Sequence, residues 1–528
     1  MDDRKTRFPN RRDLLKGGLA AGVLPLFCAI DKADAAGAPA FGPAGAFSYA
    51  ALKRRAEALA ARPFAEPPVR AGETLDAIDF DAHQAIRLRR PVRPWQGADG
   101  PEIGLFHLGR YFQTPVRIHA LENGTARELL YSPDLFELPD GHVAANLPAD
   151  IGFAGFRVLD QTGKSDWLAL LGASYFRTAG PEGQFGLSAR GIAVDTATAG
   201  SEEFPRFTEF WLEPIEDGGL TIYALLDGPS VAGAYRIVTP PPDKGPDGGI
   251  VQHVDTALFT RRPIERLGIA PLTSMFWYSE TNRQDARDWR PEIHDSDGLE
   301  IWSGSGERIW RPLSNPPVVT TNAFLDESPR GFGLMQRDRD FENYQDDGVF
   351  YEKRASLWVE PQGNWGAGSV QLVEIPTDDE IHDNIAAFWV PAEPVGGGEA
   401  HHFTYRLHWL ADTPYPAETA RVVATRIGMG GIPGQPRPAG LRKFAIDFNG
   451  PILAGLDRDS GVEAIVEASR GSLGNIAAYP VVGTDRWRAL FDLDSAGEAP
   501  VDLRLYLRHD NAALSETWLF QYFPDAVA

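Results

Sequence analysis

The chain has 528 residues, of which 43% are hydrophobic and 23% charged, and it carries a formal net charge of -22. This composition is typical of globular proteins and excludes collagen-like and wholly disordered chains. The excess of acidic residues also argues against a nucleic-acid partner, because phosphate backbones favour clustered Lys and Arg.

The N-terminus has the pattern of an export signal. The pair Arg11-Arg12 precedes an uncharged stretch, residues 17–30, and the small residues Ala33 and Ala35 then offer a cleavage site. The uncharged stretch is too short to span about 30 Å of hydrocarbon. We therefore expect a signal peptide over residues 1–35, export by the twin-arginine pathway, a periplasmic location and no stable membrane anchor after cleavage.

Cleavage would remove Cys28, the only cysteine of the chain. The mature protein would then contain no disulfide, no cysteine nucleophile and no thiolate metal site.

Beyond the signal, the pattern predicts a linker over residues 36–46 and one helix from Phe47, with apolar residues at helical spacing until Arg62-Pro63. After Pro67 short segments of alternating or solid apolar character predict strands, among them residues 167–176, 207–213, 220–226, 370–375, 403–409 and 501–507. No alternation of strands and helices appears, so a parallel doubly wound sheet is not expected.

This pattern predicts an all-β protein with a large domain over residues 47–411 and a small β-sandwich over residues 417–528. The boundary falls in the Pro-containing segment 412–416. Within the small domain, residues 425–441 are rich in Gly and Pro and are predicted to form a long exposed loop.

Common catalytic motifs are missing from the sequence. It has no G-x-S-x-G, P-loop or H-E-x-x-H pattern. His402 and His408 share the polar face of a predicted strand, and the pairs Asp338/Asp340 and Asp457/Asp459 do not complete a calcium loop. We therefore expect neither a cofactor nor a metal site.

Carboxylates and aromatic residues are interleaved between residues 277 and 389, in clusters at 290–299, 336–344 and 358–384. A sugar ring offers an apolar face to aromatic side chains and hydroxyl groups to carboxylates, Arg and Asn. This mixture suits a saccharide cleft. The alternative is a set of solvated loops in which the Asp residues form turns and caps.

Several motifs together resemble the osmoregulated periplasmic glucan biosynthesis proteins D and G, and the twin-arginine signal favours the D branch. The similarity covers essentially the whole mature chain. Its motifs are Arg290 to Leu299, Trp310-Arg311-Pro312-Leu313, Gly331-Phe332-Gly333-Leu334, Gln336-Arg337-Asp338, Trp358-Val359-Glu360-Pro361, Glu374 to Asn384 and Leu514-Ser515-Glu516-Thr517-Trp518.

This resemblance implies a large β-sandwich of the galactose-mutarotase type, a C-terminal immunoglobulin-like domain and a linear β-1,2-glucan as partner. It also implies anomer-inverting glycoside hydrolase chemistry in the D branch, with transfer or cyclisation in some relatives. Hydrolysis and transfer differ only in the acceptor, so the sequence leaves that choice open. It also leaves open whether the Gly/Pro-rich loop covers the cleft of its own chain or that of a partner in a homodimer. A non-catalytic glucan-binding or assembly protein is the alternative function.

By resemblance the general acid lies in residues 375–380, and we choose Asp379, with Asp378 as its rival. For the general base we prefer Asp295, because His294 could orient it, over Asp297, which also suits a turn. Further candidates for glucan contacts are His294, Asp297, Arg337, Asp338, Tyr344, Trp358, Glu360 and Trp365.

Overall fold

The computed structural model describes residues 39–524, apart from residues 97–99, 161, 243–247 and 439. The predicted signal peptide and the first residues of the predicted linker lie outside the described residues. Strands dominate the regular structure, so the predicted all-β class is confirmed. The finer likenesses to galactose mutarotase and to immunoglobulin domains stay predictions.

Short helices decorate the strands. The α-helices described are Tyr49–Ala60, Gly72–Asp76, Phe80–Ala85 and Phe341–Tyr344, and the 3-10 helices are Pro133–Leu135, Val143–Asn146, Glu216–Gly218, Arg283–Asp285, Tyr351–Lys353 and Pro451–Leu453.

The predicted N-terminal helix is confirmed at Tyr49–Ala60. The Ser48 hydroxyl accepts a hydrogen bond from the backbone N–H of Ala51 at 3.2 Å and caps the helix start. Its buried face, at Leu52 and Ala56, packs against Trp211 of the first sheet.

The first sheet is a long, mostly antiparallel array. From one edge to the other its strands are Ala40–Phe41 with Gly45–Ala46, Thr125–Leu130, Arg117–Glu122, Arg206–Pro214, Leu220–Asp227, Val231–Thr239, Ile250–Thr260, Ala400–Leu410, Ser356–Gln362, Gly331–Met335, Gly298–Trp302 and Arg308–Pro312.

The second sheet faces the first. In order its strands are Thr320–Glu327, Ala367–Glu374, Ile385–Pro391, Leu267–Ser274 with Ala193–Val194 beside it, Ser188–Arg190, Tyr175–Thr178, Asp166–Leu171, Phe153–Leu159 and Ile103–His107. Smaller pairs are Arg87–Leu88 with Phe136–Glu137 and Phe276–Tyr278 with Ile293–His294.

The main hydrophobic core lies between these sheets. Phe156 of the second sheet and Phe210 of the first meet with ring centroids 5.3 Å apart, and both are fully buried. Alternation explains the arrangement, because every second residue of a strand points to one face. Tyr405, Leu407 and Trp409 are buried in this core, as their spacing predicts.

The C-terminal part forms a second sandwich. One sheet runs Arg421–Met429, Leu441–Asn449, Arg486–Asp494, Ser472–Pro480, and the facing strands are Glu463–Ala468, Val501–His509, Ala512–Ala513 and Thr517–Tyr522. Their core contains Phe444, Phe491 and Trp518, together with Trp310 and Trp358 from the outer face of the first sheet.

The two parts of the chain also share backbone pairing. Ile309 and Trp310 pair in parallel with Thr517 and Trp518, so the first sheet continues into the C-terminal part. The predicted division between residues 411 and 417 falls between the strands Ala400–Leu410 and Arg421–Met429.

Two predicted irregular segments are more ordered than their composition suggests. Within the predicted linker, Ala40–Phe41 and Gly45–Ala46 pair with the strand Thr125–Leu130. The predicted loop over 425–441 is instead a hairpin, because the strand Arg421–Met429 extends through Gly428 and pairs with Leu441–Asn449. Only the turn between these strands is irregular.

Within the described ranges, none of the helices has both the length and the apolar character needed to cross a bilayer.

Candidate active site

The outer face of the second sheet carries polar side chains. Thr273 pairs with Ser188, and Tyr175 pairs with Arg190 on the adjoining strands. Leu272, which precedes Thr273, lies in the core between the sheets, so alternation directs the Thr273 side chain to the opposite face. This face is the floor of the candidate site.

Asp383 is a buried carboxyl above that floor, with 6% of its surface exposed. Burial raises the pKa of Asp383 to about 6, against the opposing effects of Arg177, a hydrogen bond from Thr273 and Arg354. A carboxylic acid with this pKa keeps a proton in a fraction of molecules near neutrality, as a general acid requires.

The neighbouring Asn384 fixes the backbone that carries Asp383. The Asn384 side chain accepts from the N–H of Phe276 at 2.8 Å and donates to the carbonyl oxygens of Phe276 and Ile375, each at 2.9 Å. These bonds tie both ends of the segment 375–384 to the edge of the sheet, so the position of Asp383 is determined by strand geometry.

Asp295 is a second carboxyl beside Arg354. The Arg354 guanidinium donates to Oδ1 of Asp295, and Oδ2 of Asp295 is buried with no hydrogen-bond partner among the described residues. Its backbone N–H is held by the carbonyl oxygen of Met275 at 2.8 Å. Asp295 therefore has a fixed orientation and one unused acceptor oxygen.

Arg354 itself is a buried cation that interacts with both carboxyls. Its guanidinium lies 4.0 Å from the centroid of the Tyr351 ring, and burial lowers its pKa to about 9. Because its charge acts on Asp383 while its Nη1 bonds Asp295, it couples the electrostatics of both groups.

A second arginine clamps the loop that leads to Asp383. Arg290 donates both terminal nitrogens to the carboxylate of Glu380, each at 2.9 Å, and also bonds Asp346 at 2.7 Å. The Tyr351 hydroxyl donates to the same Glu380 carboxylate. Bidentate pairs of this type restrict geometry as well as stabilise it, so Glu380 anchors the loop.

His294 is the centre of a separate buried cluster. One ring nitrogen contacts Gln336 at 3.1 Å, and the other lies 3.1 Å from Glu292 and 3.6 Å from Asp297. Although burial opposes the charge, Asp297 and Glu292 raise the pKa of His294 to about 9. His294 does not bond Asp295, so the expectation that it orients that residue is wrong.

Glu292, His294 and Asp297 also bring their ligand atoms within 4.8 Å of one another, which is close enough for a metal ion. Metal binding requires a neutral imidazole. Because the two carboxylates favour the protonated ring, the cluster is better described as a buried ion pair.

Asp338 and Glu280 line a small cleft of about 30 Å³ at the seam with the strand Arg421–Met429. Burial and the charge of Asp297 raise the pKa of Asp338 to about 6. Burial and the charge of Glu292 raise the pKa of Glu280 to about 8, and its carboxyl accepts from the backbone N–H of Thr425 at 2.9 Å.

The proton on Glu280 has a consequence for stability. Its pKa in the folded chain exceeds that of an unfolded glutamate, so the folded state keeps a proton that the unfolded state releases, and stability falls as pH rises from about 4.5 towards 8. We expect Glu280→Gln, which keeps the acceptor for Thr425, to raise the unfolding temperature more at pH 8 than at pH 5. Thermal unfolding of both proteins at the two pH values measures this, and an equal shift at both would contradict it.

The structure places Asp379 in an exposed turn. Its Oδ1 accepts from the N–H of Glu380 at 2.7 Å, and its backbone bonds the hydroxyl of Thr377. The rival Asp378 is exposed as well. Neither carboxyl is enclosed by other side chains, so the choice of Asp379 is not supported by its position.

Arg337 lies at the seam and lines the same cleft as Asp338 and Glu280, but its guanidinium is already engaged by protein groups. It bonds Glu516 at 2.6 Å, Glu300 at 2.9 Å and the carbonyl oxygen of Val422 at 3.1 Å, and it stacks 3.6 Å from the Trp310 ring centroid. This environment has a structural role, since Glu516 and Val422 belong to the C-terminal sandwich and Arg337 links them to the large one.

The predicted aromatic contacts are also enclosed. Trp358 and Tyr344 are fully buried, and Trp365 is 7% exposed within the main core. The Tyr344 hydroxyl donates to the carbonyl oxygen of Asp338 at 3.2 Å. In these positions the rings offer no free face to a sugar.

Glu360 lies on the outer face of the first sheet, away from Asp295 and Asp383. Its carboxylate accepts from His408 at 2.7 Å and from the Tyr415 hydroxyl at 2.9 Å. Burial opposes the charge, but these hydrogen bonds lower the pKa of Glu360.

Sequence reasoning missed Asp383, Arg354 and the Arg290–Glu380 clamp as site residues. Asp383 lies within the carboxylate-rich segment 374–384. The only feature of the local sequence that could have singled it out is the adjacent Asn384, because Asn side chains often hydrogen-bond to the backbone and hold it in place. For Arg354 there was no signal, because its role depends on a loop folding over the second sheet.

Comparison with known proteins shows which family the chain belongs to. Residues 47–522 match the family model described as "Periplasmic glucan biosynthesis protein, MdoG". The chain belongs to the periplasmic glucan biosynthesis protein family. The family assignment predicted from the sequence motifs is therefore confirmed, and it implies a periplasmic location.

Several relatives in the periplasmic glucan biosynthesis protein family match over nearly the whole chain. Glucans biosynthesis protein D 2 of Ralstonia nicotianae is 50% identical, covering 97% of this chain and 98% of that protein. Glucans biosynthesis protein D of Xanthomonas oryzae pv. oryzae is 47% identical, covering 98% of each. Probable glucans biosynthesis protein D of Shewanella oneidensis is 48% identical, covering 90% of this chain and 89% of that protein.

Proposed function

We propose that this chain is an enzyme that cleaves linear β-1,2-glucan with inversion at the anomeric carbon, by hydrolysis or by transfer, using Asp383 as general acid and Asp295 as general base. Membership of a periplasmic glucan biosynthesis family supports a glucan substrate. The β-1,2 linkage and the inverting outcome rest on the family resemblance of the sequence.

The main observation that supports the proposal is that one residue, Arg354, interacts with both carboxyls. Arg354 bonds Asp295 and acts electrostatically on Asp383, whose pKa burial raises to about 6. Two carboxyls in unequal environments are the arrangement that assigns one group as acid and the other as base. Asp383 replaces Asp379 because Asp379 is exposed.

In this reaction Asp383 donates its proton to the glycosidic oxygen as the bond from that oxygen to the anomeric carbon breaks. Asp295 accepts a proton from the attacking hydroxyl, which forms its new bond to the anomeric carbon from the opposite face. Oδ2 of Asp295, which has no partner among the described residues, is the acceptor. Exchange with solvent then reprotonates Asp383 and removes the proton from Asp295.

The acceptor decides between hydrolysis and transfer. Water gives a shorter chain, whereas a sugar hydroxyl gives a transferred or cyclised product. The turn between Met429 and Leu441 carries an exposed Ile432 and is a candidate cover that would exclude water.

The proposal includes export by the twin-arginine pathway, supported by Arg11-Arg12 and the uncharged stretch that follows. Replacing both arginines by lysine should retain the precursor in the cytoplasm, as followed by fractionation.

Incubation of the purified chain with linear β-1,2-glucan tests the activity, with products followed by thin-layer chromatography and mass. A ladder of shorter chains indicates hydrolysis, and a product lighter by one water than the matching linear chain indicates cyclisation. Unchanged glucan that nevertheless binds would overturn the proposal in favour of a glucan-binding or assembly protein.

The pKa of Asp383 sets a pH dependence. The acid must be protonated, so kcat/KM should fall about tenfold per pH unit above about 6, leaving about one molecule in ten active at pH 7. Initial rates on linear glucan between pH 5 and pH 8 measure this limb. A rate that stays constant or rises through this interval would exclude Asp383 as the group that donates the proton.

A further inference from the structure

A second cleft lies at the edge of the seam between the two sandwiches. It opens between the hairpin that joins Trp302 to Arg308 and the connecting segment 414–419, and its volume is about 600 Å³. This volume lies within the range typical of small-ligand sites. None of the groups assigned to the candidate active site lines it.

Strand alternation places this cleft on the opposite face of the large sandwich from Asp383. Leu299 and Ile301 lie in the core between the sheets, so Trp302, the next residue along the strand, points outward from the first sheet. Asp383 instead bonds Thr273 on the outer face of the second sheet. Sheets in a sandwich pack about 10 Å apart, so the core separates the two places.

The cleft combines aromatic rings with guanidinium groups. The rings of Trp302 and Tyr415 lie 5.9 Å apart at 49°. The Arg308 guanidinium lies 3.8 Å and that of Arg330 lies 5.1 Å from the Trp302 ring centroid. Rings that present an apolar surface beside donors fixed in place suit the C–H faces and hydroxyl groups of a sugar.

Two polar groups of the lining have unused hydrogen-bonding capacity. The Arg308 side chain is 10% exposed and forms an ion pair with Glu300 at 3.7 Å, but its Nη1 makes no hydrogen bond among the described residues. The hydroxyl of Thr419 is likewise buried without a partner. Unpaired buried polar groups are costly and point to an absent partner.

The charges of the lining favour a neutral ligand over an anion. Glu418 contributes an exposed carboxylate, and the Tyr415 hydroxyl donates to Glu360 at 2.9 Å, so acidic groups stand beside Arg308 and Arg330. A free anion would meet both signs of charge. A polyol, which donates and accepts hydrogen bonds at each hydroxyl, matches such a mixed lining.

We propose that the cleft between residues 302–308 and 414–419 is a second glucan-binding site, which holds a gluco-oligosaccharide on the face of the sandwich opposite the reacting bond. The identity of the sugar rests on the proposed function. The site would let one chain of substrate or product stay bound while another segment occupies the candidate active site.

Calorimetric titration of the full chain tests this, with Asp383→Asn as the background so that the ligand is not consumed. The ligand is a linear β-1,2-gluco-oligosaccharide of defined length. We expect two binding events, of which one is weakened at least tenfold by Trp302→Ala and by Arg330→Ala while the other keeps its affinity. Arg54→Ala, which removes an exposed arginine on the N-terminal helix, is the matched control and should change neither.

Arg330→Ala keeps the test decisive if Trp302→Ala perturbs folding, because Arg330 is exposed. A single binding event that neither variant changes would overturn the second site and leave the proposed function standing. No binding of the oligosaccharide at all would overturn both. Binding of inorganic phosphate in the cleft, lost in Arg330→Ala, with no effect of that variant on the oligosaccharide, would identify an anion site and overturn the glucan assignment.

Discussion

Asp383→Asn should lower kcat on linear β-1,2-glucan by about 10³-fold while glucan binding stays within a few-fold of the unaltered chain. Asparagine keeps the shape of the side chain and can still bond Thr273, but it has no acidic proton to donate to the leaving oxygen. The burial that raises the pKa of Asp383 to about 6 also excludes bulk water as a substitute acid. Product formation over time, with binding measured separately by calorimetry, gives both quantities.

Asp379→Asn is the matched control, because it makes the same chemical change on the same loop. Asp379 is exposed and its carboxylate caps the backbone N–H of Glu380, a bond that an asparagine oxygen can also accept. We expect activity within about twofold of the unaltered chain. The reverse ranking, with Asp379→Asn inactive and Asp383→Asn active, would restore the assignment made from the sequence.

The strands that the sequence predicts best are those with one solvent-facing side and one side packed in a core. Residues 403–409 and 501–507 alternate because their apolar side chains enter a core, and each lies within the strand that the structure describes there. Residues 167–176 read as one segment but form two strands, Asp166–Leu171 and Tyr175–Thr178, since both are buried and the turn between them has little polar signal.

Local composition predicted loop or linker for several segments that form strands by pairing with distant parts of the chain. Gly428 and Met429 read as loop, yet the neighbouring strand Leu441–Asn449 supplies their backbone partners. The short strands at Ala40–Phe41 and Gly45–Ala46 depend in the same way on Thr125–Leu130. Propensity is a weak guide when tertiary hydrogen bonding decides.

Within the segment 374–384 the sequence favoured Asp379 as the general acid, whereas the proposed function assigns that role to Asp383. The choice between Asp379 and Asp383 depends on burial, and burial there depends on Arg177 and Arg354, which come from other parts of the chain. The aromatic Trp358 was read as a sugar platform because sequence cannot tell a residue facing a cleft from one packed beneath a second sandwich. Family motifs therefore identify a neighbourhood more reliably than they identify roles.

Arg337→Met should destabilise the folded chain by about 3–5 kcal/mol. The substitution keeps an unbranched apolar stem against Trp310 but leaves the buried Glu516 without its cation, and Glu300 with only the longer contact to Arg308 at 3.7 Å. Removing one partner of a buried charge network is costly because the remaining charges cannot be solvated. Urea unfolding at constant pH measures the change in the free energy of unfolding.

An exposed arginine on the same seam provides the comparison. Arg421 pairs with Asp412 at 2.6 Å, but both side chains are well exposed, so Arg421→Met should cost no more than about 1 kcal/mol. Adding Glu516→Gln to Arg337→Met should recover part of the loss, because it removes one of the unpaired charges. If Arg337→Met instead left stability unchanged and raised KM for glucan, Arg337 would be the substrate contact that its motif suggests. A stability loss with unchanged KM would establish it as the residue that joins the two sandwiches.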